Sequence, residues 1–112
     1  MSLQLEAADQ NGVTIVMSWR NEMQSRTEPP IMHGGIVASL IDVCGLYTVL
    51  AAGGDVRSTA YLHVDYHRSV IPGLVRVTGR AIRIGRSISI AESFIYGTTS
   101  EPLASGRGGY VA

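Results

Sequence analysis

Between Gly34 and Gly54 the chain runs 21 residues with one charge, Asp42. The stretch is too long and too weakly alternating for a strand, so its length predicts a helix. Yet Ile36, Val37, Ile41, Val43, Thr48 and Val49 are β-branched and poor helix formers. Apolar residues lie all round it instead of along one stripe, so the helix must be enclosed by the rest of the protein. A bilayer would also enclose it, but Asp42 would then sit near mid-membrane at a substantial cost, and the flanks read as strands of a soluble domain. Gly53-Gly54 supply the stop.

On either side the period is two. Val13, Ile15, Met17 and Trp19 alternate with polar positions, as in a half-buried strand. Arg20 to Met32 is a polar connection whose Pro29-Pro30 bars helix and central strand, and it is long for a structureless loop. Thr59 to Tyr66 places Ala60, Leu62, Val64 and Tyr66 opposite Thr59, Tyr61, His63 and Asp65. After a Pro72-Gly73 turn, Leu74 to Ile84 changes phase around Gly79, as a bulge would make it do. Gly85-Arg86 suits a two-residue hairpin turn. Ser87 to Tyr96 sets Ile88, Ile90 and Phe94 on one face, and Leu103 to Val111 forms a last strand. One strand, a long helix and four more strands predict a single α+β domain over residues 1–112, an antiparallel sheet curled around one central helix.

Composition narrows the function. Nine basic residues, all arginine, balance nine acidic ones, which disfavours nucleic-acid binding. With 46% apolar and 16% charged residues, little charge is left to cover a small monomer, and a buried subunit interface is expected. The single cysteine, Cys44, excludes an internal disulfide and fits a reducing compartment such as the cytoplasm. Met1 to Gln10 has neither the basic start nor the apolar run of a secretory signal.

Two places can carry chemistry. His33-Gly34-Gly35 opens the helix, where glycine admits close approach and unpaired first-turn amides suit an anion or a developing oxyanion. A plain Gly-Gly turn capped by His33 fits the same residues. Asp42 is either paired with an arginine or backbone donors, or lines a pocket that water reaches. Seven residues separate Gly35 from Asp42, about 20° around the helix and about 10 Å along it. A reacting carbonyl needs its oxyanion donor and its attacking group each at roughly 3 Å. Two antiparallel helices across a twofold axis could set Gly35 of one subunit opposite Asp42 of the other, so a shared site and an obligate dimer are expected.

His33-Gly34-Gly35 followed by Leu40-Ile41-Asp42 resembles the H-G-G-x(4)-L-x-D segment of hotdog-fold acyl-CoA thioesterases, most closely the phenylacetate-degradation (PaaI-like) group. Val64-Asp65-Tyr66-His67-Arg68 is similar to that family's V-x-Y-x-R strand, and Arg83-Ile84-Gly85-Arg86 to its R-x-G-R hairpin. The resemblance spans roughly residues 13–112. It implies a hotdog homodimer, often assembled into tetramers, that hydrolyses acyl-CoA thioesters with no cofactor or metal. By the same resemblance, the Gly35 N–H polarises the thioester carbonyl, and Asp42 of the partner subunit attacks it or activates water. His33 shapes the helix start, Thr59 helps hold the water, and Arg68, Arg83 and Arg86 are candidates for the CoA phosphates. Where family members commonly carry Asn six residues before the His, this chain has Thr27, a hydroxyl without an amide.

Other features carry less. Cys44 lies 11 residues from His33, about 16 Å along the helix, and reads as a core residue. His63, Asp65 and His67 share a strand face, but its ends are about 13 Å apart, too far for one metal ion. Two rival functions stand beside hydrolysis: a non-catalytic acyl-CoA-binding hotdog protein, and a hotdog dehydratase or hydratase.

Overall fold

The apolar stretch is a helix, α1, spanning Gly34–Ala51. The computed structural model describes residues 3–27 and 29–112, and the side chains of Arg26 and Thr27 lie outside that description. Val37, Leu40, Ile41, Cys44, Gly45, Thr48 and Val49 are buried, a stripe at the three- and four-residue spacing of one helix face. The opposite flank is equally apolar but uncovered, with Tyr47 48% and Leu50 45% exposed. Complete enclosure is therefore not achieved within one chain, because one curved sheet covers only one side of a helix. At the C-terminal end Gly53 takes φ +93°. The Gly54 N–H donates to the Val49 carbonyl at 2.9 Å, closing the last turn.

Among the described residues, the strands are β1 Leu3–Asp9, β2 Gly12–Ser18, β3 Gln24–Thr27, β4 Pro30–Met32, β5 Ser58–Tyr66, β6 Leu74–Arg83, β7 Ile88–Tyr96 and β8 Ala104–Val111. Six of them form one sheet in the order β1-β2-β6-β7-β8-β5, every neighbouring pair antiparallel. This is the expected α+β architecture, a long helix packed on a curved antiparallel sheet.

Two additions were not read from the sequence. β1 precedes the expected first strand and pairs with β2 through a turn in which Asp9 Oδ1 accepts from the Asn11 N–H at 2.7 Å and the Gly12 N–H at 3.2 Å. Its alternation is brief and its Glu and Ala residues are weak strand formers, so pairing decides the outcome. The polar connection is also not structureless. It holds a 3-10 turn, Asn21–Met23, and a two-stranded ribbon of β3 and β4, with Pro30 as the first residue of its strand where no inner ladder bond is lost.

Small residues form much of the sheet face under the helix. Ser89, Ala91, Ser93 and Ile95 are the buried positions of β7, while Ile88, Ile90 and Phe94 face outward and remain half-buried. A Cβ on Gly79 would clash with Thr48 Oγ1 and lie 2.9 Å from Cys44 Sγ, and one on Gly106 would lie 2.7 Å from Ile41 Cγ2. Gly79 thus marks close helix approach and not the phase change expected there. Val75, Val77 and Gly79 keep one inward phase, and the register shifts between Ala81 and Arg83. The following connection uses four residues, Ile84 to Ser87, where two were expected. In β5 the register shifts between Thr59 and Tyr61, which turns Thr59 away from the face of Tyr61 and His63 and toward α1.

Gly79→Ala should cost about 1–3 kcal/mol of stability by overpacking. Urea unfolding followed by Trp19 fluorescence would measure it, with a lowered midpoint and an unchanged slope expected.

Candidate active site

The helix begins at His33, whose Nδ1 accepts a hydrogen bond from the Gly35 N–H at 3.1 Å. His33 is therefore a true cap, and its ring shapes the first turn. In the same peptide plane as that N–H, the Gly34 carbonyl accepts from the Tyr66 hydroxyl at 2.8 Å. Tyr66 ends β5, so this bond ties the far end of that strand to the start of the helix. Beside them opens a cleft of about 380 Å³, with Met32, Val37 and Val70 among its apolar walls and Tyr66, His67 and Arg68 at its polar side.

Two turns further along, Asp42 is half-buried, with Oδ1 accepting from Thr59 Oγ1 at 2.8 Å. The bulge in β5 makes this contact possible, since strict alternation would aim Thr59 at the outer face. No salt bridge among the described residues involves Asp42. The carboxylate is thus oriented by a hydroxyl and not locked to an arginine.

The backbone carbonyl of Asp42 accepts from the Tyr110 hydroxyl at 3.1 Å. Tyr110 is buried, and Gly45 and Gly108 make room for its phenol, since a Cβ on either would collide with the ring. Burial first, and then the nearby Asp42 and Cys44, push its ionisation well above the ordinary tyrosine range. Sequence reasoning missed Tyr110 and the role of Tyr66. Gly108-Gly109, just before position 110, were the available signal, because an inward-facing aromatic on a strand needs such space.

The arginines divide into two groups. Arg68 follows β5 near the helix start and pairs with Glu101 at 3.1 Å, both exposed. Arg83 ends β6 and Arg86 lies within the β6–β7 connection, both lining an open cleft of about 440 Å³. That connection lies near the other end of the helix, where a Cβ on Gly54 would meet Ile84 at 3.3 Å. The two groups sit toward opposite ends of the sheet and do not converge within one chain. Thr27 pairs with Pro30 through the β3–β4 ribbon, and its side chain falls outside the described residues.

Another groove, about 340 Å³, lies on the outer face of the sheet among His63, Asp65, Glu92 and Arg107. His63 Nε2 lies 3.1 Å from Asp65 Oδ1, whereas His67 Nε2 turns to Ser105 Oγ at 2.9 Å, so the three do not converge on one point. This groove is on the sheet face away from Asp42. Cys44 is fully buried, and burial pushes its thiol above the ordinary range, the reverse of an activated nucleophile.

The sequence pattern of the Thioesterase superfamily matches residues 30–99, the helix and the strands that hold Asp42, Thr59 and Tyr66. The chain belongs to that superfamily. A Thermoplasma volcanium protein bearing a provisional esterase name is 31% identical over 85 residues, 75% of this chain and 62% of that protein. The chain thus spans under two thirds of the length of that curated relative. A crystal structure of a thioesterase-superfamily protein superposes with a TM-score of 0.89 at 34% identity, covering 98% of this chain and 83% of the other. A Streptococcus mutans protein crystallised with acetyl CoA shares the fold, with a TM-score of 0.86 at 17% identity over 100% of this chain and 90% of its own.

Tyr110 should reveal itself in alkaline titration at 295 nm. A raised folded-state pKa means that its contribution to stability is complete below the unfolded value of about 10 and is lost as pH climbs beyond it. One of the five tyrosines should therefore ionise only at higher pH or on unfolding. Tyr110→Phe should remove that late step and no other.

Proposed function

We propose that this protein hydrolyses acyl- or aryl-CoA thioesters to the free acid and CoA at a site shared between two subunits. The observation that carries this reading is the Asp42 carboxylate, half-buried in an apolar helix, free of any described ion pair and oriented by Thr59. In this reading the thioester carbonyl accepts from the Gly35 N–H, and Asp42 of the partner subunit supplies the attack. With Oδ1 held by Thr59, Oδ2 takes a proton from water or adds to the carbonyl itself. As a base, Asp42 yields a hydroxide that forms the tetrahedral intermediate. Collapse then breaks the C–S bond, and the proton returns to the departing CoA thiolate. As a nucleophile, it expels the thiolate to leave an acyl-aspartyl anhydride, which water cleaves.

The shared arrangement is supported by separation and by topology. Gly35 and Asp42 are about 10 Å apart along one helix, too far to serve one carbonyl. Among the described residues β5 pairs with β8 alone, which leaves a nine-residue strand edge open there. Antiparallel pairing of β5 with its copy would cover that edge and bring the Tyr66 end of one subunit toward the Thr59 end of the other. Arg68 would then approach the partner's Arg83 and Arg86, joining into one phosphate-binding group the cations that a single chain keeps apart. The acetyl CoA held by the Streptococcus mutans protein supports this substrate class. The H-G-G-x(4)-L-x-D spacing makes the phenylacetate-degradation group part of the same proposal, and the single cysteine, Cys44, makes a reducing compartment such as the cytoplasm part of it.

Free-thiol release across an acyl-CoA panel tests it, with enoyl hydration assayed in parallel. Asp42→Asn should lower kcat by about 10²- to 10⁴-fold while leaving the thermal midpoint near that of the parent. Thr59→Val should cost about tenfold, the worth of one hydrogen bond to a charged group. Sedimentation should give a dimer or tetramer. Binding without turnover, hydration of enoyl-CoA, or full activity in Asp42→Asn would each defeat the proposal.

A further inference from the structure

The Gly34 carbonyl and the Gly35 N–H belong to one peptide plane, and both of its ends are engaged. The carbonyl accepts from the Tyr66 hydroxyl at 2.8 Å, and the N–H donates to His33 Nδ1 at 3.1 Å. The Tyr66 ring also lies over Gly34, where an added Cβ would meet its Oη at 3.6 Å and its ring carbons at 3.7 Å. A donor at the carbonyl end of an amide draws charge toward oxygen and makes the N–H at the other end a stronger donor. It also fixes the tilt of the plane, and so the direction of the N–H. We propose that Tyr66 is a positioning residue for catalysis, orienting and polarising through the Gly34 carbonyl the Gly35 amide that stabilises the oxyanion. This inference rests on the thioesterase reading above.

The placement of Tyr66 favours such a role. It is the last residue of β5, the strand that also carries Thr59. One strand thus holds the carboxylate at one end and the amide at the other. The tyrosine is 56% exposed and lies outside the packed core. The His33 bond marks where the amide points before substrate binds, and the substrate oxygen must share or displace that acceptor. The Tyr66 bond, at the other end of the plane, can persist through the whole cycle.

Tyr66→Phe removes the hydroxyl and keeps the ring. With wild type active on an acyl-CoA, the variant should lose about five- to tenfold in kcat with KM within twofold, as befits a hydrogen bond felt in the transition state. In ¹H–¹⁵N spectra the Gly35 amide proton should move upfield in Tyr66→Phe. 3-Fluorotyrosine at position 66, a stronger donor of similar shape, should move it downfield. A purely structural tyrosine would lower the thermal midpoint without this paired response. Unchanged kcat, a rise in KM alone, or a Gly35 resonance indifferent to both replacements would overturn the positioning role while the thioesterase reading stands. Absence of turnover by wild type across the panel would instead overturn the thioesterase reading and this role with it.

Discussion

How closely α1 lies on the sheet governs the rest of the structure. Gly79 and Gly106 give the helix side chains Cys44, Thr48 and Ile41 room that any added side chain would remove, and Ser89, Ala91 and Ser93 continue the same shallow floor. Burying a large aliphatic side chain contributes about 1.5–3 kcal/mol. Here the helix brings Val37, Leu40, Ile41 and Val49, and the sheet answers with small residues directly beneath it and with Met17, Val75, Val77 and Ile95 around them. This intimacy lets a strand hydroxyl reach a helix carboxylate, as Thr59 reaches Asp42, and lets Tyr110 pass beneath the helix to the Asp42 carbonyl.

The same closeness explains what could be read in the sequence. The helix was legible because 21 residues with one charge leave few alternatives, and its stop at Gly53-Gly54 is where glycine at positive φ is needed. The β7 pattern was visible but its sense was not. Ile88, Ile90 and Phe94 invite assignment to the core, yet bulk on the inner face would push the helix away, so they face outward. Gly79 signalled something, and close packing explains it better than a bulge. β1 and the β3–β4 ribbon draw their stability from pairing, which a single-strand pattern does not encode.

Of the site, the residues along the helix were legible because spacing alone sets their geometry. Asp42 drew attention as the one charge in an apolar run, and His33 as a cap before two glycines. What strands bring to the helix was harder. Alternation put Thr59 on the wrong face, and nothing local announces that Tyr66 and Tyr110 bond to backbone carbonyls. Such bonds join residues 32 and 68 positions apart, a distance at which only the folded topology decides who meets whom. The two arginine groups were likewise found one by one, and their separation toward opposite ends of the sheet is a property of the fold.

The extra residue in β5 has an evolutionary corollary. Because one insertion reverses the facing of everything on one side of it, the strand is divided into two segments with independent inheritance. The longer segment answers to pairing with β8, and substitutions there are judged by the sheet. The short segment before the shift answers to β8 as well, through Ser58 and Thr59, and in addition to Asp42. Straightening the strand at its present length, so that residue 60 entered the ladder, would turn Thr59 to the outer face and erase the hydroxyl from the carboxylate. On the proposed reading, a more regular β5 is a poorer site: the irregularity in the ladder is what keeps the hydroxyl beside the carboxylate.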